Sequence, residues 1–128
     1  MRVLLDTQAF LWLGTDSPML SKKAKKIFLD TQNDLYLSLA SIWEMAIKSS
    51  LGKLTFHKSL ETFILDKLQE NNIQQLGIDF RHVTRVSQLP FHHRDPFDRL
   101  LASQALEEKM PILSADVAFD AYDVERLW

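Results

Sequence analysis

The apolar run Val3-Leu4-Leu5, closed by Asp6 and Thr7, constrains this chain more than any other stretch. Consecutive apolar residues without polar alternation read as a strand buried on both faces, as in parallel sheets packed between helices. Ala9-Phe10-Leu11-Trp12-Leu13 follows as an apolar helix candidate, so Asp6 stands where a strand hands over to a helix. In open α/β sheets, ligand chemistry occurs in the crevice outside the carboxyl ends of the strands. The question is then which other groups reach that edge.

The remaining chain alternates in the same way. Ser21 reads as the cap of a helix over Lys22 to Thr31, whose Lys22, Lys23, Lys25 and Lys26 read as a solvated face. Leu35 to Ser38 is a second buried strand. Ser41-Ile42-Trp43-Glu44 has the form of a capping box, predicting a helix to about Leu51 with Ile42, Met45, Ala46 and Ser49 inward. A helix from Lys58 or Ser59 to Asn71 has Leu60, Phe63, Ile64 and Leu68 as its stripe. These two helices leave large residues outward, which suits a dimer or partner surface. Ile73 to Ile78 is a weaker strand, and Asp79 caps a short helix ending at Leu89-Pro90. Asp95 as cap and Pro96 at the first helical position open a helix to Lys109, with Phe97, Leu100, Leu101, Ala105 and Leu106 as its stripe. Pro111 to Ser114 and Val124 to Leu127 supply the last strands. Strand–helix alternation with right-handed crossovers predicts one α/β domain over 1–128, a mostly parallel sheet between helix layers.

Topology then gathers acids. Asp6, Glu44 and Asp116 fall at the edge where strands end and helices begin. The helix after the third strand, of roughly nine residues, descends about 14 Å. The link Leu89 to Asp95 spans up to roughly 23 Å, so Asp98 returns to the same edge. Each acid has a plain explanation as a helix cap or a partner for a helix dipole. Together they call for more, since two carboxylates about 4 Å apart repel by roughly 4 kcal/mol at an effective dielectric of 20. Raised pKa values or a divalent cation offset this, and an all-oxygen donor set suits Mg²⁺ or Mn²⁺ over zinc.

Composition removes other chemistries. With 15 Lys plus Arg against 17 Asp plus Glu, the chain is not a bulk electrostatic nucleic-acid binder. The absence of cysteine excludes disulfides, thiolate zinc sites and cysteine nucleophiles. No apolar run reaches membrane-span length and no signal pattern opens the chain, so a cytoplasmic protein is expected. His57, His82, His92 and His93 lack zinc spacing, and His92-His93 reads as surface or as a polar lid. Three glycines build neither a P-loop nor a dinucleotide fingerprint. Trp12, Trp43 and Trp128 read as core. A receiver-like phosphoacceptor domain would have paired acids after the first strand and a lysine after the last strand, and neither is present.

Arg2-Val-Leu-Leu-Asp-Thr-Gln-Ala-Phe-Leu-Trp12, Ser41-Ile-Trp-Glu-Met-Ala-Ile-Lys48 and His93-Arg-Asp-Pro-Phe-Asp-Arg-Leu-Leu-Ala102, in this order, resemble the PIN-domain ribonucleases of the VapC toxin type. The resemblance runs from Met1 to Trp128. It places that family's acids on Asp6, Glu44, Asp98 and Asp116. Asp98 is preferred to Asp95 because Asp98-Arg-Leu-Leu-Ala102 matches the family's helix start. The family's frequent Thr-Arg-Asp is Ser114-Ala115-Asp116 here, which removes an arginine. Gln8 replaces the more usual His, Asn or Ser.

The resemblance implies a PIN-like three-layer sandwich with strand order 3-2-1-4-5, a homodimer, a cognate antitoxin in the acidic crevice, and RNA as substrate. The expected activity is that of a Mg²⁺-dependent endoribonuclease toxin acting through metal-activated water. Asp6, Asp98 and Asp116 are expected to hold metal, and Glu44 to position the water. Thr7, Asp95 and Ser114 support them, and Lys48, Arg94 and Arg99 contact phosphate, with Lys48 alternatively pairing with Glu44. The alternative is a catalytically inactive PIN-fold module that binds metal, RNA or protein.

Overall fold

The computed structural model describes residues 1–92 and 94–128; His93, half of the expected histidine pair, lies outside the described residues. Five strands, β1 (Arg2–Leu5), β2 (Asp34–Ser38), β3 (Ile73–Leu76), β4 (Ile112–Leu113) and β5 (Arg126–Leu127), form one sheet ordered β3-β2-β1-β4-β5. Every pairing is parallel. The helices are α1 (Thr7–Gly14), α2 (Lys22–Leu29), α3 (Leu39–Ser50), α4 (Leu60–Glu70), α5 (Phe80–Arg85) and α6 (Pro96–Glu108). Among the described residues no helix is long and apolar enough to cross a membrane.

Both faces of the sheet are covered, which is why β1 lacks polar alternation. Val3 and Leu5 join one buried cluster with Leu35, Leu37, Phe10, Ile27, Phe63 and Leu113. Leu4 points the other way, to Ile112, Leu101, Ala105 and Phe119. The register pairs Leu5 with both Leu37 and Leu113. Asp6, Ser38 and Ser114 therefore leave the three central strands side by side.

Helix starts mostly follow their caps. Asp6, Ser21, Ser59, Asp79 and Asp95 each accept a backbone N–H of the helix they open. The expected capping box at Ser41 does not form. α3 begins straight from β2, and Ser38 Oγ accepts the Ala40 N–H at 3.0 Å. Ser41 is buried within the first turn, its hydroxyl without a hydrogen bond among the described residues. The inward face of α3 is Ala40, Ser41, Glu44 and Met45, while Ala46 is exposed. The buried face of α6 likewise includes Arg99, Ser103 and Gln104 beside Leu101 and Ala105. α3 and α4 expose Leu39, Trp43, Leu51 and Leu65.

Candidate active site

Moving the start of α3 to Leu39 changes what Glu44 can do. At the third helical position a glutamate reaches back to its own cap; in the second turn it cannot. Glu44 instead turns into a cavity of about 370 Å³ at the carboxyl edge of the sheet, walled by Asp6, Glu44, Asp95, Asp98 and Asp116. Lys48 is the one cationic side chain among the described lining residues. The acids come from the end of β1, from α3, from the cap and first turn of α6, and from the end of β4.

Asp6 is the buried centre, 7% exposed. Its Oδ1 accepts the Ala9 N–H at 2.6 Å and its Oδ2 accepts the Ser114 hydroxyl. Ser114 Oγ also accepts the Asp116 N–H at 3.0 Å, so one hydroxyl ties the two strand-end acids together. Burial, reinforced by the charges of Asp116 and Glu44, pushes the Asp6 carboxyl from 3.8 up to about 6, against the lowering effect of the bonds from Ser114 and Ala9. Both oxygens of Glu44 are held: Thr7 Oγ1 donates to Oε1 at 2.8 Å, and Lys48 Nζ pairs with Oε2 at 2.9 Å. Asp116 is exposed, and its Oδ1 accepts the Ala118 N–H at 2.9 Å. Asp95 accepts the N–H groups of Phe97 and Asp98 on Oδ1. The chemistry of such a donor set, carboxylate oxygens converging on one hollow, fits a hard divalent cation.

The expected cations are placed differently from one another. Lys48 lines the cavity, paired with Glu44 as its i,i+4 spacing allowed. Arg94 is exposed and stands outside the cavity wall. Arg99 does not fit the expected phosphate contact: it is 8% exposed, and its guanidinium donates to Pro90 O, Tyr122 Oη and Val86 O at 3.0, 3.3 and 3.2 Å. With its cation 4.8 Å from the Phe91 ring centre, it clasps the segment leading into α6.

Of the tryptophans, Trp12 and Trp128 pack half-buried against the core, and Trp43 departs from a core reading. Trp43 is 58% exposed, edge-on to Phe97. Trp12, half-buried, lines the acidic cavity with Gln8 and Ala115. The signal for Trp12 was its spacing from Gln8, one turn along α1. His92 is exposed, its ring edge-on to Tyr122.

Asp79, His82 and Glu108 form a second cluster, their ligand atoms within 4.8 Å of one another. Hydrogen bonding argues against a cation there. His82 Nδ1 accepts the Asp79 N–H at 3.1 Å in a true capping box and faces Gln104 Nε2 at 3.4 Å. That leaves the ring proton on Nε2, which is buried without a hydrogen-bond partner among the described residues, Glu108 Oε1 lying 3.5 Å away. Neither ring nitrogen offers a spare lone pair.

The PIN domain family model matches residues 3–125. A 60-residue segment is 32% identical to ribonuclease VapC16 of Mycobacterium tuberculosis, covering 47% of this chain and 43% of that protein, so the match spans less than half of the relative. In fold, the chain is similar to VapBC2 from Rickettsia felis bound to a DNA fragment from its promoter, at a TM-score of 0.76 and 12% identity over 99% of this chain and 98% of that one. It is also similar to VapBC-5 of the VapBC family of toxin–antitoxin systems from Mycobacterium tuberculosis, at 0.60 and 14% identity over 98% of each chain.

Proposed function

Because the chain belongs to the PIN domain family, we propose that it is a divalent-cation-dependent endoribonuclease and the toxin of a toxin–antitoxin pair. One observation carries this reading: five carboxylates from distant parts of the chain wall one cavity at the carboxyl edge of a parallel sheet. Helix capping explains Asp95, and part of what Asp6 and Asp116 do. It does not explain Glu44, buried in the second turn of α3, lining the cavity and bonded to Thr7 and Lys48 rather than to a helix end.

Asp6, Asp98 and Asp116 would hold the cation, Mg²⁺ with Mn²⁺ as a substitute. When bound, it supplies Lewis-acid stabilisation of charge on the phosphate and a lowered pKa for water. Ser114 keeps the Asp6 carboxylate in one orientation, and Thr7 does the same for Glu44. Glu44 orients the attacking water and accepts its proton. The water oxygen bonds to phosphorus, the P–O3′ bond breaks, the leaving 3′-oxygen takes a proton from solvent water, and the products are a 5′-phosphate and a 3′-hydroxyl. Lys48 lies within reach of a phosphate in the cavity, and exposed Arg94 is available to a longer RNA. Arg99 drops out of the substrate-binding set. An acidic hollow also attracts an arginine or lysine of an antitoxin. The apolar residues on α3 and α4 support a protein-binding face, for the antitoxin or a second copy.

Incubating the protein with structured RNA in Mg²⁺ or in EDTA tests the reading. Metal-dependent 5′-phosphate ends are expected. Tight RNA binding without turnover would indicate an inactive module instead.

A further inference from the structure

The carboxylates account for one side of the cavity and leave the α1 side unexplained. Gln8 and Trp12 are four residues apart on α1 and share the helix face that borders the acids. Trp12 is the one aromatic ring among the described lining residues. It packs against the core cluster and is braced by Trp128, ring centres 5.7 Å apart at 50°. An indole gives a hard cation no ligand and a phosphate no charge. Braced in this way, it is a rigid apolar surface beside the place where a phosphate would be cut.

We propose that Trp12 and Gln8 form a nucleobase subsite, the indole stacking on the base next to the scissile phosphate and the Gln8 carboxamide reading that base's edge. The proposal rests on the nuclease reading and adds to it a requirement for an unpaired nucleotide. Sequence-specific RNA recognition draws on splayed bases that stack on aromatic side chains and expose their hydrogen-bonding edges. Stacking tolerates any base. Gln8, exposed at the cavity with both a donor and an acceptor, supplies the discrimination that stacking lacks. A contact made equally to substrate and transition state shows in KM and leaves kcat alone.

The test uses a short single-stranded RNA containing a mapped cleavage site, with an abasic ribose placed in turn on each side of the cut. On the wild-type protein one abasic position is expected to raise KM about 5- to 150-fold, the range of one base–aromatic stack, with kcat nearly unchanged. Binding of the same RNAs in EDTA, followed by fluorescence anisotropy, should show the same loss. Trp12→Leu should remove the difference between intact and abasic RNA, whereas Trp12→Phe should keep most of it. Gln8→Ala should flatten the preference among bases at that position. Equal abasic penalties in wild type and Trp12→Leu, or none at any position, would overturn the subsite while the nuclease reading stands. Should Trp12→Leu fail to fold, the wild-type abasic series and Gln8→Ala decide the matter. If the wild type cuts no RNA in Mg²⁺, the subsite and the nuclease reading fall together.

Discussion

Ser114 donates its hydroxyl to Asp6, 108 residues away in the chain, and accepts the backbone N–H of Asp116 with the same oxygen. The two meet because Leu5 and Leu113 are paired across neighbouring parallel strands, so the next residue of each leaves the sheet side by side. A single serine thus orients one acid and anchors the turn that carries another.

Ser114→Ala should therefore weaken cation binding without unfolding the protein. Loss of an orienting partner of this kind costs about 10- to 100-fold in metal affinity. Calorimetric titration with Mn²⁺ measures it, and an unchanged affinity would show that Asp6 is oriented by Ala9 alone.

Asp6 predicts a pH dependence of stability. Its carboxyl is raised from 3.8 to about 6, chiefly by burial, so the native state holds this proton more tightly than the unfolded chain. The resulting stabilisation is complete below about pH 3.8 and is lost as the pH rises through about 6, an effect of about 3 kcal/mol. In EDTA, wild type should lose stability relative to Asp6→Asn between about pH 4 and pH 7. Mg²⁺ should restore wild type, and not the variant, at neutral pH. Thermal melts of the two proteins across that range check the sign.

Arg99→Met should cost about 1–3 kcal/mol, because the three hydrogen bonds to Val86 O, Pro90 O and Tyr122 Oη are lost, although Val86 O and Pro90 O keep the N–H groups of Leu89 and His92. Arg99→Lys should not rescue it, since an ammonium lacks the planar fork. Urea unfolding measures the loss. A variant of wild-type stability with weakened RNA binding would return Arg99 to the phosphate contacts.

Glu44→Gln should separate chemistry from binding. Asp6, Asp98 and Asp116 are assigned to the cation, and Glu44, held in place by Thr7 and Lys48, to the water. kcat should fall about 10²- to 10⁴-fold with Mn²⁺ affinity little changed. A large fall in affinity would make Glu44 a ligand.

The sheet and its edge were legible because period and topology act locally and rigidly. An unbroken apolar run is a doubly covered strand, and a strand followed by a helix leaves its last acid at one edge. The start of α3 was not legible. Ser38 and Ser41 both precede an apolar stretch, and the sheet pairing Ser38 with Leu76 decides where the strand yields. The inward face of α3 was misread for a related reason: hydrophobic periodicity counts apolar residues, so buried Ser41 and Glu44 were invisible to it and Ala46 took their place. Arg99 looked like a cation at an acidic helix start. Val86, Pro90 and Tyr122, distant in sequence, are what draw it inward. Trp43 is apolar yet outward, because Ser41 and Met45, two residues away on either side and so on nearly the opposite face of α3, are buried.

The central claim is that these acids act as one cation-binding nuclease site. Product-end mapping on RNA treated with wild type, Asp6→Asn and Asp98→Asn, each confirmed folded by circular dichroism, tests it most directly. Wild type should leave 5′-phosphate ends in Mg²⁺ and none in EDTA, and both variants should leave none. Cleavage that persists in EDTA, or survives undiminished in both variants, would contradict it.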